Sequence, residues 1–191
     1  KGDDLIERVG SLRSCDVIFE LLQSLGDPTV HTIGGGVTHM YYPPLAYRLQ
    51  EWHLAGSNVL TIDSGPSGRS PNKDLPFFYV EDGPHGSGVF GGIEWSGVWH
   101  FDFIRKDAPA QVHYGQLETD KSLSIQGGMD EVNLNLQPGE TFRMPRVLLG
   151  FYEGPIEVGR NLLRRFLSDW APILDDGRRM PLIQAVPGGY I

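Results

Sequence analysis

Apolar and polar positions along the 191-residue chain repeat with a period near two, most densely over Leu75–Asp102 (LPFFYVEDGPHGSGVFGGIEWSGVWHFD). Two apolar runs flank a glycine-rich turn in this stretch. From Trp95 the odd positions read Trp95, Gly97, Trp99, Phe101 and Phe103. Ser96, His100 and Asp102 take even positions, with Val98 and Ile104 interrupting. Such alternation predicts a pleated strand with one dry and one wet face. A dry sheet face needs a second apolar layer above it, so the pattern predicts a sandwich with this stretch at its centre.

The remaining pattern is mostly strand-like. Residues 1–14 allow a short edge strand or none. Cys15–Leu22 reads as a strand, and Thr29–Ile33 as another, ended by Gly34–Gly36 with Val37–Tyr42 as its hairpin partner. Leu45–Glu51 and Asn58–Ile62 follow, then the turn-rich loop Asp63–Asp74. Beyond the central stretch come Gln111–Tyr114, Ser122–Gln126 and Val132–Gln137, the last with the cleanest alternation. Val147–Tyr152 is continuously apolar, as expected of a strand covered on both faces. One segment has helical spacing. In Val158–Trp170, residues Val158, Leu162, Leu163, Phe166, Leu167 and Trp170 share a face, opposite Arg160, Arg164, Arg165 and Asp169. Pro155 precedes the segment and Pro172 stops it. The expected fold is therefore all-β: two large antiparallel sheets with one C-terminal helix near 157–170. Residues 1–174 form the sandwich domain, and the Pro/Gly-rich residues 175–191 read as a linker.

Composition narrows the function classes. Hydrophobic content of 40% and charged content of 21% suit a globule, and at this length roughly 70% of the unfolded surface can be buried. Net charge is −8, and basic residues concentrate only at Arg164–Arg165 and Arg178–Arg179, so nucleic acid is not an expected partner. No apolar run approaches the roughly 20 residues of a membrane-spanning helix. Cys15 is the only cysteine, which excludes an internal disulfide and a multi-cysteine zinc site. The histidines at 31, 39, 53, 85, 100 and 113 lack metal-ligand spacing, so no metal is expected. The compartment stays open between cytoplasm and secretion.

Candidate chemistry is sparse. Gly86-Ser87-Gly88-Val89-Phe90-Gly91 matches GxGxxG, but a strand rather than a helix follows it, so a hairpin turn is expected and no nucleotide cofactor. Glu94 is the one acid worth inspecting as a catalytic group; an exposed strand residue or an arginine partner is the plainer reading. Trp95 and Trp99, four apart on one predicted face, could stack on sugar rings or fill the core, and their alternation with polar neighbours favours the core. Trp52 sits in a predicted loop and, with Tyr41 and Tyr42, is the better exposed aromatic group. Arg69 could fork a carboxylate of a substrate or of another domain, as could Arg143 and Arg146; a structural pair is the commoner use.

Several of these stretches together resemble a known family. They are Gly68-Arg69-Ser70, Leu75-Pro76-Phe77-Phe78 and Gly91-Gly92-Ile93-Glu94-Trp95-Ser96-Gly97-Val98-Trp99, followed by Leu136-Gln137-Pro138-Gly139-Glu140, Phe142–Leu149 and Gly159–Phe166. In order and spacing they are similar to the amino-terminal domain of glycoside hydrolase family 36, the α-galactosidase or melibiase family. The resemblance covers roughly residues 15–185. It implies a β-supersandwich whose helix leads into a catalytic (β/α)8 barrel of the same polypeptide. It places the catalytic carboxylates in that barrel, so no catalytic residue carries over to this chain. It implies hydrolysis of terminal α-galactosides or α-N-acetylgalactosaminides by the intact protein, contacts within a homo-oligomer, and an aromatic loop residue lent to a neighbour's sugar pocket. Trp52 and the Tyr41–Tyr42 turn are the candidates for that loop. The expected role is thus a non-catalytic supporting domain. The rivals are an independent carbohydrate-binding module using exposed tryptophans, and a structural domain whose apolar helix face around Phe166 and Trp170 binds a partner.

Overall fold

A computed structural model of the protein describes residues 10–12, 15–21, 28–34, 48–66, 73–83, 86–107, 111–113, 116–118, 121–130, 132–170, 173 and 176–178. The strands are β1 (Gly10–Leu12), β2 (Cys15–Leu21), β3 (Thr29–Gly34), β4 (Arg48–His53), β5 (Asn58–Asp63), β6 (Asp74–Glu81) and β7 (Ser87–Glu94). They continue with β8 (Trp99–Asp107), β9 (Gln111–His113), β10 (Gln116–Glu118), β11 (Lys121–Met129), β12 (Leu134–Leu136) and β13 (Arg146–Glu153). One helix, α1 (Ile156–Trp170), follows.

Two antiparallel sheets make a sandwich. The five-stranded sheet runs in the order β13-β7-β6-β3-β4, and the four-stranded sheet β2-β11-β8-β5; β1–β12 and β9–β10 are small separate pairs. Val30, Phe78, Val80, Val89 and Ile93 from the first sheet meet Ile62, Trp99, Phe101, Phe103, Leu123 and Ile125 from the second in one core. At its middle the Phe78 ring meets Phe101 and Phe103 edge-on, with centroids 5.0 and 4.8 Å apart. Glycines make room for such rings. A Cβ on Gly91 would lie 2.5 Å from the Phe78 ring, and one on Gly127 would lie 2.2 Å from Phe101. Each aromatic residue lies across the glycine paired with it on the next strand. The fold is the all-β sandwich with a terminal helix that the alternation predicts.

The central stretch supplies β6, β7 and β8, all interior strands. Trp95–Phe103, however, is not one strand. β7 ends at Glu94 in the five-stranded sheet, residues 95–98 turn, and β8 begins at Trp99 in the other sheet. The alternation holds only from Trp99, where Trp99, Phe101, Phe103 and Arg105 are buried between less buried neighbours. Gly97 marks the turn, since a Cβ there would meet the Trp95 indole nitrogen at 2.5 Å.

Three other expectations shift. Trp52, expected in a loop, lies in edge strand β4, paired with Val30. The clean alternation of Val132–Gln137 yields only the three-residue β12, with Leu134 exposed; Val132 instead packs beside Met129 in a satellite cluster. Val147–Tyr152 does have apolar partners on both faces, since Val147 and Leu149 reach the core and Leu148 reaches the helix side. It is nonetheless an edge strand, so Phe151 is exposed. The proposed β3 partner Val37–Tyr42 lies outside the described residues, as does the Cys15 side chain; the described neighbours of β3 are β4 and β6.

Helix α1 packs on the outer face of the five-stranded sheet against β6, β7 and β13. Gly154, at φ +103, turns the chain out of β13, and Pro155 then precedes the first helical residue. Glu157 in the first turn complements the helix dipole. The docking face is part of the one the spacing predicts: Leu163 is buried, Leu162 packs beside it and Phe166 is half-buried. Ile156 and Leu163 are buried with Tyr79, Phe90 and Tyr152, whereas Val158 and Leu167 are 37% and 43% exposed. Gly159 extends the docking face beyond the apolar residues: without a Cβ, which would lie 2.7 Å from the Tyr152 ring, the helix backbone settles directly on that ring.

Candidate functional site

The outer face of the five-stranded sheet gathers the side chains with chemical potential. Strand register places Glu51, His31 and Tyr79 in one row across β4, β3 and β6. Their neighbours Val30 and Thr32 point the other way into the sandwich, as the pleat requires. α1 crosses this face and leaves a groove on each side.

The first groove, about 520 Å³, is apolar, with Phe77, Ile93, Leu148 and Phe166 among its walls. Glu94 and Arg146 stand at its rim as a cross-strand pair, with Arg146 Nε 2.6 Å and Nη2 2.8 Å from the two carboxylate oxygens of Glu94. Glu94 is therefore the arginine-paired strand residue, and among the described residues no second carboxylate lines the groove.

The second groove, about 400 Å³, combines apolar walls (Ile33, Leu49, Leu163, Leu167) with His31, Tyr79, Arg160 and Arg164. His31 is buried between two acids, its Nε2 3.2 Å from Glu81 Oε2 and its Nδ1 3.6 Å from Glu51 Oε1. Tyr79 is only 9% exposed. Burial pushes its hydroxyl pKa up, against the opposing pull of the Arg160 and Arg164 charges, so the group is a phenol, a donor, at neutral pH. Tyr79 makes no hydrogen bond with any described residue. Arg160 has its side chain 28% exposed, and Glu157 lies 4.0 Å from it. Arg164 donates to Asn161 Oδ1 at 3.1 Å.

The residues singled out in the sequence do not form one site. Trp99 is fully buried in the core, so its ring has no free face. Trp95 is partly buried in the 95–98 turn, on a different element from Trp99, and packs against the main core and against the Met129–Val132 cluster. Trp52 is 41% exposed, and its Nε1 donates to Thr32 Oγ1 at 3.3 Å, which in turn donates to Gln50 Oε1 at 3.2 Å. Arg69, Tyr41, Tyr42 and His39 lie outside the described residues. His100 pairs with Asp130 at 2.7 Å, and Thr61 donates to Asp102 at 2.6 Å, both on the wet face of the four-stranded sheet. The GxGxxG run leads into strand β7, and no helix starts there.

Sequence reasoning missed the Tyr79–Arg160–Arg164 grouping. The i, i+4 spacing of the arginines was visible, but it assigned both to the solvent face, and nothing local links them to a tyrosine eighty positions earlier. Among the described residues, no three His, Cys, Asp or Glu side chains are grouped to hold a metal ion. No described helix is long and apolar enough to cross a membrane.

No family model matches the sequence, and no curated protein matches it. Among solved structures, the fold is similar to the galactosidase domain of alpha-galactosidase-sucrose kinase, AgaSK, with a TM-score of 0.53 at 16% identity. That match covers 74% of this chain but only 18% of the other, so the chain spans about a fifth of the length of the structure it resembles.

Proposed function

We propose that this chain is a non-catalytic β-sandwich domain of an α-galactosidase-like glycoside hydrolase. In this reading it packs beside a catalytic (β/α)8 barrel of the same polypeptide, supports the α-galactoside pocket of that barrel, and takes part in homo-oligomer contacts. The observation that carries the reading is the sandwich-plus-helix fold, similar to part of a galactosidase domain. The ordered motifs from Gly68 to Phe166 support it independently. Glycoside hydrolysis ordinarily needs two carboxylates facing one another across the scissile bond. Among the described residues neither groove offers such a pair, and Glu94 is already held by Arg146.

The direct test incubates the purified 191-residue chain with a chromogenic α-galactoside. No turnover is expected. Turnover that disappears in Glu94→Gln would overturn the proposal. Reading the encoding gene downstream of Ile191 tests the positive half of the reading, because a barrel bearing two carboxylates is expected there.

A second reading, an independent carbohydrate-binding module, is favoured by Trp52, an exposed indole held in place through its nitrogen. Calorimetric titration with galactose and raffinose separates the two readings. Saturable heat that is lost in Trp52→Ala selects the module, and its absence selects the supporting domain.

A further inference from the structure

The groove between α1 and strands β3, β4 and β6 contains hydrogen-bond donors without acceptors. The Tyr79 hydroxyl has no partner among the described residues, although the residue is nine-tenths buried. Among the described residues Arg160 makes no hydrogen bond either; Glu157, at 4.0 Å, is beyond hydrogen-bond reach and its own side chain is 66% exposed. Arg164, one helical turn on, commits one nitrogen to Asn161. The acids that could have neutralised these groups, Glu81 and Glu51, are turned toward His31. Among the described residues no acid lines the groove itself, whereas Arg160 and Arg164 do. Donors held in a part-buried site, where water competes poorly, bind an oxyanion most strongly, and the planar arginine fork matches carboxylate and phosphate geometry.

We propose that this groove binds the carboxylate or phosphate group of a small ligand through the Tyr79 hydroxyl and the Arg160 and Arg164 guanidinium groups. The apolar part of the ligand lies against Ile33, Leu49 and Leu167. The role is separate from the proposed supporting function, and its failure would leave that reading untouched.

The test is calorimetric titration of the purified chain with benzoate, phenyl phosphate and the uncharged benzyl alcohol. Saturable binding of benzoate, phenyl phosphate or both is expected, with benzyl alcohol at least ~10-fold weaker; which anion binds identifies the carboxylate or the phosphate as the natural group. Arg160→Met should weaken binding of that anion by about 10-fold or more, the usual range for a lost charged hydrogen bond. Tyr79→Phe should weaken it severalfold, with circular dichroism checking that the fold persists. Arg165→Met, on the exposed side of α1, should leave binding unchanged. The proposal is overturned if neither anion saturates by about 10 mM, if benzyl alcohol binds as well, or if Arg160→Met binds like the parent chain.

Discussion

Tyr152 is enclosed by glycines on two elements. A Cβ on Gly88 would lie 2.3 Å from its hydroxyl, and one on Gly159 would lie 2.7 Å from its ring. Its hydroxyl donates to Val80 O at 3.4 Å, and burial, reinforced by the Glu81 charge and opposed by Arg160, pushes its pKa up to about 12 from 10.0. The folded state therefore resists ionisation that the unfolded chain undergoes. This contribution to stability is complete below pH 10 and is lost as pH rises toward 12, on the order of 2–3 kcal/mol. In Tyr152→Phe the hydrogen bond is gone, costing about 1 kcal/mol near neutrality, but the alkaline loss should shrink as well. Urea unfolding at a series of pH values from 7 to 11.5 would show the two curves converging. A parallel pair would contradict the assignment. Gly159→Ala is the steric counterpart. Helix propensity favours alanine by about 1 kcal/mol, whereas the clash with the ring costs about 1–3 kcal/mol, so net destabilisation is expected. A variant that gains stability in urea would show that the helix backbone is not seated on Tyr152.

At the scale of the element, α1 separates what hydrophobicity predicts from what packing decides. Leu163 and Leu167 are the same residue type one turn apart, yet Leu163 is 5% exposed and Leu167 is not buried. Leu163→Ala should cost about 2–4 kcal/mol and Leu167→Ala well under 1 kcal/mol, measured by urea unfolding. Equal costs would restore the face that the spacing alone suggests. The helix itself was legible, because apolar steps of three and four bounded by Pro155 and Pro172 leave little alternative. Its docking angle was not, because it depends on a glycine, a residue that contributes nothing to an apolar count. Strands behaved alike. Trp99–Arg105 could be read because its inward side chains all meet one facing layer. The break at residues 95–98 could not, since Trp95 happens to keep the parity of Trp99 across a turn that changes sheets. Trp52 looked like a loop residue because edge strands tolerate the polar and charged neighbours Gln50, Glu51 and His53. The groove was the least legible feature, because its donors come from β6 and α1 and meet only in three dimensions.

For the molecule as a whole, the decisive fact is that both sheets share a single core. Phe78 belongs to the five-stranded sheet but packs on Phe101 and Phe103 of the other, and the two rings it meets are fully buried. Neither sheet can then keep its dry face if the other detaches, because the exposed aromatic area would remove several kcal/mol of burial from both at once. The chain also crosses between the layers directly at residues 95–98, so a β7 that lets go pulls on the first residue of β8, the fully buried Trp99. Unfolding should accordingly be one cooperative transition, with amides of β6, β7, β8 and β11 in the same slowest-exchanging class. Phe78→Ala should lower the stability of all four strands together by about 3–5 kcal/mol, seen as a uniform acceleration of their hydrogen exchange. If the four-stranded sheet kept its protection while β6 and β7 lost theirs, the two layers would be independent units. The helix, which rests only on the outer face, offers a built-in contrast. Its residues Phe166–Asp169 are half-buried or exposed, and this end should exchange faster than the sandwich beneath it. Local opening there would widen both grooves without disturbing the core, because the residues that line them from the helix side are not those that join the two sheets.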